Sequence, residues 1–230
     1  MLDELDKELE RRGHKFARYA DDCNIYVKSK LAGERVYTSI EQFLAKKLKL
    51  KVNKEKSAVA LVRERKFLGY RILNDGRLTV APRSIQRAKD KIRELTWRNQ
   101  GKSFGDVIKR LNMFLQGWFH YYKLAETKTV WKALDEWTRR KLRCYRLKQR
   151  KKGYSIAKLL MSLGIPEKES RQIGSSGKGC WRLSHTMAVD RALNVAWFGT
   201  QGLINLSEKW STFVKSLTGT AVCDNACTVV

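Results

Sequence analysis

Phe16-Ala17-Arg18-Tyr19-Ala20-Asp21-Asp22-Cys23-Asn24-Ile25-Tyr26-Val27 is the stretch that decides how this chain is read. Two adjacent carboxylates interrupt two strand-like runs, which predicts a hairpin over about 16–28 with Asp21 and Asp22 at its tip. An Asp-Asp pair in a turn is by itself ordinary turn chemistry, because short acidic side chains suit tight turns. The same pair is also what a nucleotidyl-transfer site requires. Two Mg²⁺ ions must hold the attacking and leaving oxygens, and Mg²⁺ takes one or two carboxylates with the rest from water and substrate phosphates. The rest of the chain decides between the two readings.

Charge is the first discriminator. Lys+Arg number 48 against 23 Asp+Glu, a formal net charge of +25. An excess this large favours a polyanionic partner, and nucleic acid is the default. The sequence holds no apolar run of the length a bilayer-spanning helix needs. It does not open on a secretory n-region and h-region, so a cytoplasmic location with no membrane partner is expected. The five cysteines are too few and scattered for a disulfide framework and point to a reducing compartment. Cys180 with His185, and Cys223 with Cys227, lack a second short-spaced pair, so no structural zinc site is expected.

Outward from the hairpin, Leu2, Leu5 and Leu9 predict an amphipathic helix over 1–12, ended by Gly13. Val36, Ile40, Phe43, Leu44 and Leu48 predict a second over 34–48. Ser57–Val62 and Lys66–Leu73 read as short strands, and Asn74-Asp75-Gly76 as a turn into a strand at Arg77–Val80. Pro82 marks a boundary. Three helices follow, over about 84–99 with Ser84 as N-cap, 104–123 and 128–150, and they imply a compact bundle. A shorter helix over 155–163 stops at Gly164 and Pro166, and Gly174–Gly179 reads as a loop. One more helical stretch covers about 186–197. The expected organisation is 1–81, 82–153, 154–217 and an unstructured tail over 218–230.

The helix over 128–150 carries its own signal. Arg139, Arg143, Arg146 and Arg150 share one stripe, while Leu134, Leu142 and Tyr145 occupy another face. From Arg139 to Lys152 there are nine basic residues (with Arg140, Lys141, Lys148 and Lys151) and no acidic one. Single-sign charge on one helix repels itself unless phosphates relieve it, so this segment is expected to track a nucleic-acid backbone, with structured RNA the best fit. In the aromatic run Trp118-Phe119-His120-Tyr121-Tyr122, spacing pairs Trp118 with Tyr122 toward the core.

In order along the chain, Arg18-Tyr19-Ala20-Asp21-Asp22, Leu50-Lys51-Val52-Asn53-Lys54-Glu55-Lys56-Ser57 and Phe67-Leu68-Gly69-Tyr70 resemble the last three blocks of reverse transcriptases. Gly117–Tyr122 and the basic helix resemble the thumb, or maturase, region of group II intron-encoded proteins. The similarity runs over about residues 1–210. It implies an α+β, mostly α fold: part of a right-hand polymerase palm followed by a helical thumb/maturase bundle. It implies an RNA-directed DNA polymerase, a nucleotidyltransferase of a mobile element, with a role in RNA splicing. Asp21 would be the Mg²⁺ ligand and Asp22 a weaker or structural contributor beside it. Tyr19 would pack near the primer end. Lys56, with Asn53, would protonate the leaving pyrophosphate, with Lys54 as fallback. Phe67, Leu68, Gly69 and Tyr70 would form the primer grip. Intron RNA and an RNA/DNA hybrid would be the partners.

The family's palm uses a further aspartate on a strand well before this hairpin, together with fingers. Only 20 residues precede Asp21, and Asp3 and Asp6 fall in a helix. The resemblance therefore implies a C-terminal portion, completed by an N-terminal half supplied in trans. The alternative is a non-catalytic RNA-binding maturase module.

Overall fold

The computed structural model describes residues 2–220 and divides the chain into two compact units, Met1–Thr79 and Val80–Val230. The Cys223–Cys227 pair and residues 221–230 of the expected tail lie outside the described residues. The chain is α+β and mostly helical.

In the first unit, α1 (Leu2–Arg11) buries Leu5 and Leu9, two members of its predicted apolar face. Strands β1 (Lys15–Tyr19) and β2 (Asp22–Tyr26) pair antiparallel, with Phe16 opposite Ile25 and Tyr19 opposite Asp22. Helix α2 (Lys30–Phe43) begins earlier than the apolar pattern alone indicates, because the Ser29 hydroxyl accepts the Ala32 N–H at 3.2 Å and caps it. It runs into a π-helical turn, Leu44–Leu48, ended by Lys49 at φ +56°. Leu5, Leu9, Ile40 and Leu48 form the buried centre, and Phe16, Cys23, Ile25, Val36 and Phe43 pack around them. The hairpin is thus fixed by its inward-facing residues, and its tip projects away from that core.

Ser57–Val62 forms no strand. The segment leaves the turn at 53–56 as irregular chain and enters a short 3₁₀ turn, Val62–Glu64, with Leu61 and Val62 exposed. A short apolar run makes a strand only where a neighbour pairs with it. Gly33 of α2 packs so closely here that a Cβ would meet Val59 Cγ1 at 2.6 Å. The strand expected at 66–73 contracts to β3 (Tyr70–Ile72), which pairs with β4 (Leu78–Val80) across the Asn74-Asp75-Gly76 turn.

In the second unit, α3 (Pro82–Leu95) starts at Pro82 and not at Ser84. Proline at the first helical position gives up only an N–H that would be unsatisfied anyway. Helices α4 (Phe104–Tyr122) and α5 (Lys128–Gln149) match their predicted spans closely, and Ser103 caps α4. Trp131, Leu134, Leu142, Tyr145 and Leu147 of α5 are buried, so this helix is the axis of the unit. Helix α6 (Gly153–Ser162) crosses α7 (Glu167–Gly174), an element the Gly164 and Pro166 stop signals obscured. The two backbones approach so closely that a Cβ on Gly153 would lie 1.9 Å from the Gly174 carbonyl oxygen, and one on Gly174 would lie 2.5 Å from that of Gly153.

Short helices α8 (Cys180–Leu183), α9 (Met187–Ala192) and α10 (Val195–Thr200) follow, then α11 (Leu206–Thr220). The single helix expected over 186–197 is broken at Leu193. The Leu193 carbonyl accepts the Arg143 Nε–H at 2.9 Å, and the Asn194 side chain caps the next helix by accepting the Trp197 N–H at 2.9 Å. Helix α11 extends through Thr220, so the first three residues of the expected tail are helical. The buried Asp135 carboxylate seats its first turn, accepting the Leu206 and Ser207 N–H groups at 2.9 Å each. No described helix is long and apolar enough to cross a membrane.

Candidate active site and nucleic-acid interface

The hairpin tip is a two-residue loop, Ala20-Asp21, with Ala20 at φ +54°. A residue with a Cβ pays about 1–2 kcal/mol to sit there, and such strain persists only where its surroundings impose it. Arg18 imposes it. Its guanidinium grips the Asp6 carboxylate of α1 through two N–H groups, Nε reaching Oδ1 at 2.6 Å, and its Nη1 donates to the Ala20 carbonyl at 2.9 Å. Arg18 holds the Asp6 carboxyl below the usual carboxylate range by hydrogen bonding to its charged form. With Arg18 committed to Asp6, neither Asp21 nor Asp22 forms an ion pair among the described residues, and both are exposed. Tyr19 beside them is 64% exposed.

Among the described residues no three His, Cys, Asp or Glu side chains converge as a metal cluster. What the tip offers is two exposed carboxylates, a donor set that fits Mg²⁺ with water and phosphate oxygens completing its shell.

Asn53 organises the next block. Its Oδ1 accepts the Glu55 and Lys56 N–H groups at 3.1 and 3.3 Å, and its carbonyl accepts the Ser57 N–H at 2.9 Å. The two lysines separate in character here. Lys54 is paired with Glu41 at 3.1 Å, which raises its pKa and makes it a poorer acid. Lys56 is exposed and forms no ion pair among the described residues, while its carbonyl accepts Arg65 Nη2 at 2.8 Å.

Phe67-Leu68-Gly69-Tyr70 folds as a tight reversal. Phe67 and Tyr70 exchange backbone hydrogen bonds of 3.0 and 2.9 Å, and Leu68 and Gly69 both have positive φ, +51° and +79°. This is the primed hairpin turn. Leu68 is exposed at this turn and Gly69 is half-buried.

In the second unit the basic stripe of α5 is not uniformly available. Arg143, expected to contact nucleic acid, is buried at 8% exposure. Besides its bond to Leu193 it forms an ion pair with Asp190 of α9. The stripe could not reveal this, because the elements that cover it arrive about fifty residues later. Arg146 lies half-buried over the Phe104 ring, 5.3 Å from its centroid. Arg139 lines a cavity of about 620 Å³ with Asp135, Phe119 and Phe198. Arg150 is half-buried, whereas Lys148, Lys151 and Lys152 are exposed. Arg140 and Lys141 lean on the indole of Trp181, at 3.9 and 4.4 Å from its centroid.

Of the aromatic run, Phe119 is the buried member at 6%. Trp118 and Tyr122 stack half-buried beside it at 4.8 Å, and both Trp118 and Phe119 meet Trp131 at 5.4 Å. Sequence reasoning passed over Lys89, Arg93, Trp137 and Trp181. The available signal was cations and indoles at helical spacing: Lys89 with Arg93, and Trp137 with Arg140 and Lys141.

A two-carboxylate hairpin and a tight primed turn in the first unit, followed in sequence by a strongly basic helical unit, define a nucleic-acid polymerase segment joined to an RNA-binding module. Residues 1–72 match the family model for reverse transcriptase (RNA-dependent DNA polymerase), and residues 85–161 match that for the group II intron, maturase-specific domain. A search of curated proteins gives no match. The chain belongs to the group II intron reverse transcriptase/maturase family. That family polymerises DNA on RNA, uses divalent metal ions and binds intron RNA.

Proposed function

We propose that the Asp21–Asp22 tip is the metal-holding hairpin of an RNA-directed DNA polymerase, and that the second unit grips intron RNA and the RNA/DNA hybrid. Divalent cations, Mg²⁺ by the donor chemistry, supply activation of the primer's 3′ oxygen and charge neutralisation at the leaving pyrophosphate. Asp21 is the principal ligand and Asp22 its neighbour. Tyr19, exposed at the same tip, orders the primer end. Lys56 protonates the departing pyrophosphate, a role for which it is better suited than Lys54, whose ammonium is held by Glu41. The positive-φ turn at Leu68 and Gly69, with Phe67 and Tyr70, is the primer grip. Lys148, Lys151 and Lys152, with the exposed parts of Arg139, Arg140 and Arg150, follow phosphates.

The observation that carries the reading is the exposure of both carboxylates at a strained two-residue loop, with the adjacent Arg18 satisfied by Asp6. Fingers and a further palm aspartate come from polymerase sequence outside these 230 residues, in cis or in trans. Primer extension on an RNA template with Mg²⁺ tests this. The 230-residue chain alone gives weak or no synthesis, the complementing segment restores it, and Asp21→Ala abolishes the restored activity. Restored synthesis that survives Asp21→Ala overturns the assignment.

A further inference from the structure

Two indoles in the second unit do what carboxylates usually do on a protein surface: they hold cations in place. Trp137 of α5 and Trp181 of α8 meet edge to face, 5.7 Å apart at 68°. Lys89 and Arg93 of α3 each lie 5.5 Å from the Trp137 ring centroid. Lys141 lies 5.0 Å from Trp137 and 4.4 Å from Trp181, and Arg140 lies 3.9 Å from Trp181. Asp90 pairs with Arg93, but among the described residues no carboxylate pairs with Lys89, Arg140 or Lys141. The buried Arg140 Nε–H also finds no acceptor among the described residues.

The choice of ring over carboxylate has an electrostatic consequence. An ion pair fixes a cation and cancels its charge. A ring face fixes the cation and leaves the charge in place. Four cations on two rings, three of them (Lys89, Arg140 and Lys141) without a carboxylate partner among the described residues, therefore form a preorganised positive platform that repels itself. Lys141 registers the cost: burial first, then Arg93, Arg98 and Arg140, push its ammonium below the usual lysine range. Because the ring faces are taken by the cations, the platform is not built for stacking bases. Its unmet need is for anions at several adjacent points, which a phosphodiester backbone supplies.

We infer that the Trp137–Trp181 platform is a clamp for an RNA phosphate backbone, and that α8 completes it from outside the segment matching the maturase model. This rests on the reading of the second unit as the RNA-gripping part, and it names the face that does so. Five of the six residues fall within 85–161, and Trp181 lies beyond. The RNA assignment follows from that position and from a patch whose indoles are covered by charge and so are not free to enter a lipid surface.

The experiment is equilibrium binding of the full chain to a mixed-sequence RNA duplex and to a DNA duplex of the same sequence, across a salt series. Removing both central charges (Arg140→Gln with Lys141→Gln) should weaken RNA binding roughly ten- to thirty-fold near physiological salt and lower the log–log salt slope by about 1.5–2. Trp181→Phe keeps a ring in the packing but holds Arg140 more weakly. It should give a smaller loss in the same direction, and it serves as the test if the double variant does not fold by circular dichroism. The same charge removed at Lys148 and Lys151 should cost less. Folded platform variants that bind with wild-type affinity and slope overturn the inference, as do equal losses from both lysine and platform pairs, or tighter binding of DNA than RNA. Failure of the wild-type chain to bind any RNA overturns instead the reading of the whole unit.

Discussion

Asp21 carries the proposed chemistry, but Arg18 sets where it sits. The guanidinium spans from Asp6 on the first helix to the Ala20 carbonyl, one residue before the carboxylate. In the complemented polymerase, Arg18→Gln should lower the primer-extension rate by up to about a hundredfold with little change in RNA binding, because a small misplacement of a reacting group is costly. Asp6→Asn should resemble it, and the double variant should be no worse than either single one. Additive losses would mean that the two residues act separately. Ala20→Gly relieves the left-handed strain and should raise folding stability by about 0.5–1 kcal/mol in a urea melt, after the backbone entropy of glycine is counted. Much of this site was legible beforehand. An acidic pair between two alternating runs leaves few placements other than a hairpin tip. The Asp6–Arg18 contact was not legible, since it joins residues of two elements that sequence spacing does not relate. Arg143 failed for a similar reason: a helical stripe states which residues share a face but not what later covers that face.

At the scale of elements, α1 is tethered by charge as well as by leucines. Glu8 accepts from Arg11 and Arg12, and Arg12 reaches on to the Ser39 hydroxyl of α2 at 2.7 Å. The two arginines hold the Glu8 carboxyl down at about 2. A carboxylate with a folded-state pKa below its unfolded one stabilises above the ordinary carboxylate range and loses that contribution as pH falls toward the folded value. Docking of α1 should therefore loosen between the ordinary carboxylate range and about pH 2. Amide exchange in α1 and α2 measures this, and Glu8→Gln should flatten the dependence. An unchanged acid profile in that variant would remove Glu8 from the account. Long amphipathic helices such as α4 and α5 were legible because their periodicity repeats over many turns. The 57–62 segment was misread because a short apolar run does not reveal whether a partner strand exists. The break at Leu193 depended on a hydrogen bond from a helix fifty residues earlier, although Asn194 before Val-Ala-Trp was a visible capping signal.

At the scale of the whole molecule, a net charge of +25 makes stability and ligand binding inseparable. Anything that binds the folded form alone raises its stability, by about 2.7 kcal/mol at a hundred times the dissociation constant. Saturating RNA should therefore raise the thermal midpoint by several degrees, and the gain should shrink as salt displaces the phosphates. A midpoint unmoved by RNA at low salt would contradict that linkage. The order of sequence blocks told the family because it spans both units, whereas the arrangement of charge within the second unit required coordinates. Where α6 crosses α7, the contact is main chain against main chain, with no side chain between to yield. In a saturation library, positions 153 and 174 should come back empty of everything but glycine, while exposed Lys158 and Lys168 a few residues away accept nearly any replacement. The crossing is a fixed point: neighbouring substitutions can accumulate around it, but none can pass through it.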